Sequence, residues 1–153
     1  MKIVLLAVGK MRSKALREVC EEYLGRLARY GAAEVKEVKA AESASPEQSV
    51  AQESARLLAA LEPNDHVLVL DERGTQQTSR ELCDLLKQHE LRSTKRLMLV
   101  LGGAYGLSDD VRKRGTLFSL SKMTLPHELC RAVILEQLYR ARTIQNGEPY
   151  HHA

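Results

Sequence analysis

Leu97-Met98-Leu99-Val100-Leu101-Gly102-Gly103-Ala104-Tyr105-Gly106 is an unbroken apolar run that ends in a glycine-rich turn. Apolar residues without polar alternation predict a strand covered on both faces, as in a parallel sheet between helix layers. Ile3-Val4-Leu5-Leu6-Ala7-Val8, closed by Gly9, reads the same way. So does His66-Val67-Leu68-Val69-Leu70, followed by the turn Asp71-Glu72-Arg73-Gly74. Residues 34–38 alternate and predict a strand nearer an edge. Residues 117–125 form a last strand-like run, which turns into a helix at Pro126-His127-Glu128.

Helix signals fill the gaps between these runs. Ser13 caps a helix with Leu16, Val19, Cys20, Tyr23, Leu24 and Leu27 on one face and Gly31 at its close. A small-residue loop over 40–45 leads to Ser45-Pro46-Glu47-Gln48, a helix start whose helix runs to about Leu61 and is stopped by Pro63. Thr78-Ser79-Arg80-Glu81 is a capping box with Leu82, Leu85 and Leu86 inside. Ser108 caps a short helix that Gly115 ends, and its acidic start and basic end suit the helix dipole. The alternation predicts an α/β protein, a mainly parallel sheet with helices on both faces. Ligands in such sheets sit beyond the carboxyl ends of strands, so the candidate loops are 70–74, 102–106 and 120–126.

A length of 153 residues fits one domain spanning 1–153. With 44% hydrophobic and 28% charged residues the composition is that of a soluble globular protein. No apolar run reaches membrane-spanning length. The first nine residues read as a strand, not a signal peptide, and a cytoplasmic location is expected. Cys20, Cys83 and Cys130 are scattered and odd in number, which suits reduced thiols. The basic residues Arg112, Lys113, Arg114, Lys122, Arg131, Arg140 and Arg142 face only Glu128 and Glu136 between positions 112 and 142. That local excess suggests an anionic partner, but on charge alone a solvated helix face is the preferred reading. With no Trp and Phe118 the only Phe, a base-stacking sheet is improbable.

Gly102-Gly103-x-x-Gly106 is neither a dinucleotide fingerprint nor a P-loop. Its significance comes from the second special turn over 120–126 on a neighbouring strand end. Glycines let backbone approach a ligand closely. His127 beside that turn is either a ligand contact or an ordinary helix-start residue. The terminal helix, from Pro126 to about Gln145, is apolar nearly all round, so either a second subunit covers it or it is deeply buried in one chain. His151-His152 lacks the clustered ligands of a metal site, and no metal is expected.

Taken together, the residues resemble the RlmH family (YbeA-like) of the SPOUT methyltransferase superfamily. The likeness rests on Ala7-Val8-Gly9-Lys10, Leu70-Asp71-x-x-Gly74, Leu101-Gly102-Gly103-x-x-Gly106-Leu107, the run Ser119 to His127, Glu136-Gln137-x-Tyr139-Arg140-Ala141, and Pro149-Tyr150-His151. One departure is visible: the family usually has Lys or Arg after the Tyr-His pair, and here His152 stands there. The resemblance implies an α/β knot with a C-terminal trefoil and a homodimer with its cofactor site near the subunit interface. It also implies S-adenosylmethionine-dependent N3-methylation of a pseudouridine in 23S ribosomal RNA of the assembled ribosome. Implied cofactor contacts are Leu70, Gly102, Gly103, Leu120, Ser121, Lys122, Met123, Thr124 and Leu125.

Attack by N3 requires loss of its proton, so a base or a stabilising cation is needed. The catalytic candidates are His151, Tyr150, Arg140 and Arg142, with the tail reaching the partner's cofactor. Lys10, Arg12, Lys14, Arg112, Lys113 and Arg114 are candidate phosphate contacts, which position RNA without reading it. The competing readings are a non-enzymatic ribosome- or RNA-binding protein, a SPOUT methyltransferase acting on transfer RNA, and a flavodoxin-like nucleotide binder.

Overall fold

The computed structural model describes residues 1–42 and 45–152. The expected loop over 40–45 includes Ser43 and Ala44, which lie outside the described residues. Five strands make one all-parallel sheet: β1 (Lys2–Val8), β2 (Ala33–Val38), β3 (His66–Gln76), β4 (Arg96–Leu101) and β5 (Thr116–Ser119). Their order is β2-β1-β4-β3-β5, which puts the alternating β2 at an edge and the apolar β1, β4 and β3 inside.

The helices are α1 (Lys14–Leu27), α2 (Pro46–Ala59), α3 (Ser79–Leu91), α4 (Asp109–Lys113) and α5 (His127–Gln145). Side chains alternate along a strand, so each inner strand feeds two cores. Ile3, Leu5, Leu97 and Leu99 pack under α1, α3 and α5, while Val4, Leu6, Met98 and Val100 pack under α2 and α4. The caps read from the sequence form as hydrogen bonds. The hydroxyls of Ser13 and Ser108 accept from the amides of Leu16 and Val111, and Thr78 and Glu81 close a reciprocal box.

Several boundaries differ from the sequence reading, each for a physical reason. Residues 71–74 are not a free turn. They bulge out of β3, which pairs Leu70 with Phe118 and then Thr75 with the same residue. Gly74 crosses so close that an added Cβ would lie 2.5 Å from Phe118 N. Of the run 117–125 only the first three residues are strand, since β5 starts one residue earlier at Thr116 and serine side chains divert the backbone after Ser119. α1 stops at Leu27, and a 3-10 turn over Ala28–Tyr30 precedes Gly31. Val19, assigned to its buried face, is exposed, since Cys20 and Leu27 take the inner positions.

α5 lies on the sheet between α1 and α3, and none of its residues is exposed. The all-round apolar pattern is therefore met within one chain and does not by itself require a second subunit. Its first two turns also organise the far side of the sheet. Arg131, 1% exposed, donates from Nη2 to the carbonyls of Val8 and Gly9 at 2.7 and 2.6 Å, and from Nη1 to Glu37 at 2.7 Å. Glu128 accepts from the amides of Arg12 and Ser13 at 2.5 and 3.1 Å. Two residues of α5 thus hold the loop from β1 to α1.

Candidate functional site

The carboxyl ends of β3, β4 and β5 enclose a crevice of about 690 Å³. Its first wall is the turn after β4. Gly106 N donates to Gly103 O at 3.1 Å and folds the turn on itself. A Cβ on Gly102 would lie 2.9 Å from Gly106 O and from Leu107, and one on Gly103 would lie 2.7 Å from Glu53 Oε1. A side chain at Gly102 would meet backbone, one at Gly103 would have to displace the end of the Glu53 side chain, and both glycines line the crevice. Behind the turn, Ser54 Oγ of α2 accepts from Ser108 N at 3.0 Å and ties down its far end.

The second wall is the loop after β5. Ser119 Oγ donates to Ser121 O at 2.9 Å, and Met123 N donates to Ser121 Oγ at 3.0 Å. Such local side-chain bonds replace ladder bonds and curl the chain. The third wall is the β3 bulge. Asp71 accepts from Arg73 N at 2.9 Å and from Arg112 Nε at 2.7 Å. Burial alone would raise the Asp71 carboxyl, but these donors outweigh it and hold it below the ordinary carboxylate range. Arg112 is therefore a strut between the glycine turn and the bulge.

The structure brings Leu70, Gly102, Gly103, Leu120, Ser121, Met123, Thr124 and Leu125 together on this crevice, with His127 at the start of α5 beside them. Lys122 is exposed and stands outside the lining. Tyr105 and Met123, 62% and 76% exposed, mark its rim.

The tail forms a second cluster. Tyr150 donates to Glu136 Oε1 at 2.9 Å, and its ring meets Tyr139 at 4.7 Å and lies 4.8 Å under the Arg140 guanidinium. Arg140 pairs with Glu136 at 2.5 Å and reaches His151 Nδ1 at 3.4 Å. Arg donates only, so in this contact Nδ1 is the acceptor. Burial first, then the bonds to Tyr23 and Glu136, push the Tyr150 phenol well above its ordinary value. It is a poor base and a standing donor. Arg142 is not part of this group. It is buried and bound to Glu90 at 2.5 Å and to Gln145 at 2.7 Å, joining α5 to α3.

The basic excess of the sequence is largely consumed by ion pairs. Arg112, Arg131, Arg140 and Arg142 all face carboxylates. Arg114 donates to Glu62 O at 2.8 Å and so points away from Arg112, near the opposite end of the sheet. The run 112–114 is therefore not one patch. Lys10, Arg12, Lys14 and Lys113 are exposed. Sequence reasoning missed Glu53, and it quoted Asp71 only within a turn motif and Arg131 only within the basic excess; a buried-helix position for Glu53 between Ser49, Ser54 and Leu57 was the one available signal.

The three cysteines are free, and burial pushes the Cys20 and Cys130 thiols up. Among the described residues there is no group of three potential metal ligands, and no helix is long and apolar enough to cross a membrane.

A parallel sheet whose strand ends build a backbone-walled crevice defines an α/β enzyme domain of the nucleotide-cofactor kind. Residues 1–151 match the family described as "Predicted SPOUT methyltransferase". The chain belongs to the SPOUT methyltransferase family; it is a methyltransferase and its cofactor is S-adenosylmethionine. Among its relatives, the protein called "Ribosomal RNA large subunit methyltransferase H" of Gloeobacter violaceus is 43% identical over 153 residues, covering 99% of both chains. That of the same name in Syntrophotalea carbinolica is 44% identical over 154 residues, again covering 99% of both. The fold is shared with a probable methylase family protein from Haemophilus influenzae, at a TM-score of 0.55 and 14% identity, covering 99% of this chain and 70% of that one.

Proposed function

We propose that this enzyme methylates 23S ribosomal RNA at N3 of a pseudouridine in the assembled ribosome, in the cytoplasm, as a homodimer. The observation that carries the substrate is the end-to-end likeness to relatives named for the large-subunit RNA, at 43% identity over 99% of both chains. The crevice is the cofactor site in this reading. Gly102 and Gly103 line it with no side chain of their own, so backbone can approach a ligand there. Bound there, S-adenosylmethionine supplies an electrophilic methyl group. The C-terminal knot implied by the family is part of the same reading, with the 120–125 loop lying in the knotted segment.

The protein's own task is to position the base and manage its N3 proton. His127 lies at the crevice, whereas Glu136 and Arg140, which hold the tail, follow it on α5 by roughly 14 and 20 Å at 1.5 Å per residue. A tail so held cannot serve its own crevice. It serves that of the partner, which makes the active site composite. There His151 and Arg140 meet the base and stabilise the N3 anion, while Tyr150 anchors the tail. Lys10, Arg12, Lys14 and Lys113 are the exposed cations left for phosphate contact.

The test is methyl transfer from labelled S-adenosylmethionine to unmethylated ribosomes, free 23S RNA and transfer RNA. Label in ribosomal RNA, greatest on whole ribosomes, is expected. Label on transfer RNA alone overturns the proposal.

A further inference from the structure

Glu53 is 6% exposed in the middle of α2, and nothing in the transfer step uses it. Its carboxylate stands directly behind the glycine turn, with Oε1 and Oε2 at 2.7 and 3.2 Å from where a Gly103 Cβ would be. Oε2 accepts from Ala41 N at 3.2 Å. Among the described residues no Lys, Arg or His pairs with it, for the ion pairs all lie elsewhere. A buried carboxylate loses hydration and is ordinarily compensated by a cation. The residue between this one and the crevice is Gly103, which lines the crevice and has no side chain to screen the charge. On the opposite wall Arg112 is already neutralised by Asp71 and Asp109.

A cationic ligand in the crevice supplies the missing charge. S-adenosylmethionine carries a sulfonium, an ammonium and a carboxylate, a net charge of plus one. The demethylated product has lost the sulfonium charge and is neutral overall. We infer that Glu53 is a positioning residue that selects by charge, favouring the cationic cofactor over the neutral product through the thin glycine wall. Product release is promoted as a consequence, because the methyl group leaves with the charge that held the ligand. This inference rests on the crevice being the cofactor site.

Calorimetric titration of the full-length protein with S-adenosylmethionine and with S-adenosylhomocysteine separates charge from structure. Glu53→Gln keeps the shape and removes the charge. It is expected to weaken the cofactor about tenfold, the size of one partly screened charge interaction, and the product by about twofold or less. Glu53→Asp keeps the charge and should keep the preference. Equal weakening of both ligands, or of neither, overturns the inference. If the Gln variant fails a thermal melt, Glu53→Met fills the same volume without charge and is titrated instead. Failure of the unaltered protein to bind the cofactor, or full binding by Gly102→Val, sinks the crevice assignment itself and is seen before any Glu53 variant is compared.

Discussion

At the scale of single residues, the site depends on what is missing from Gly102 and Gly103. Both residues line the crevice on one side. On the other, Gly106 O, Leu107 and the Glu53 carboxylate stand 2.7 to 2.9 Å from where added Cβ atoms would lie. Gly103→Ala therefore forces either the turn or Glu53 to move. Overpacking of this kind costs about 1–3 kcal/mol of stability, so the melting temperature should fall by about 2–4 °C per kcal/mol, and the displaced turn should lower cofactor affinity about tenfold or more by calorimetry. An unchanged affinity would show that the turn does not touch the cofactor. The glycines were legible in the sequence, since two of them directly after an apolar run mark a place where backbone must approach something. Glu53 was not, because the turn it backs lies far along the chain and a helix pattern does not say which neighbour a buried polar side chain meets.

At the scale of elements, α5 is the piece on which the molecule is organised. Its N-terminal turn borders the crevice, its inner face completes one core, and its charged side chains reach the end of β1, β2, α3 and the C-terminal tail. Arg131 joins α5 to the ends of β1 and β2, where Val8 and Gly9 carbonyls and Glu37 share one guanidinium. Arg131→Met keeps most of the volume but leaves those acceptors unpaired. A loss of about 2–4 kcal/mol in urea unfolding is expected. A loss below about 0.5 kcal/mol, the level of ordinary surface changes, would show that the clamp is incidental. The periodicity of α5 announced a helix apolar on several sides but left open whether its cover came from the same chain. Strand order settled that, because α1 and α3 flank it once β1, β4 and β3 are neighbours.

At the scale of the whole molecule, the composite site we propose needs the crevice of one subunit and the tail cluster of the other. The arrangement predicts complementation. Subunits carrying Gly102→Val and subunits truncated after Pro149 should each be inactive as homodimers. Mixed dimers should regain one working site and about half the activity of the unaltered dimer, since a two-fold assembly has two sites. Methyl transfer to ribosomes by co-expressed, doubly tagged dimers measures this. No recovery, with the dimers intact, would place the tail's role outside the partner's crevice.

Local periodicity determined most of the elements. Continuous apolar runs, capping residues and glycine turns are set by burial and backbone chemistry within a few positions, and they suffice to show an α/β chain with loops at strand ends. The order and spacing of short motifs from Ala7 to His151 also carried the family. Tertiary structure alone decided which charges remain at the surface. Arg112, Arg131 and Arg142 look like an anion-binding face in sequence and are internal struts in space, because their carboxylate partners come from β3, β2 and α3. It also decided that the 71–74 segment is a bulge across β5, and that a carboxylate of α2 stands behind the glycine turn. Such pairings join segments distant along the chain, and only the order in which the strands assemble brings them within hydrogen-bonding reach.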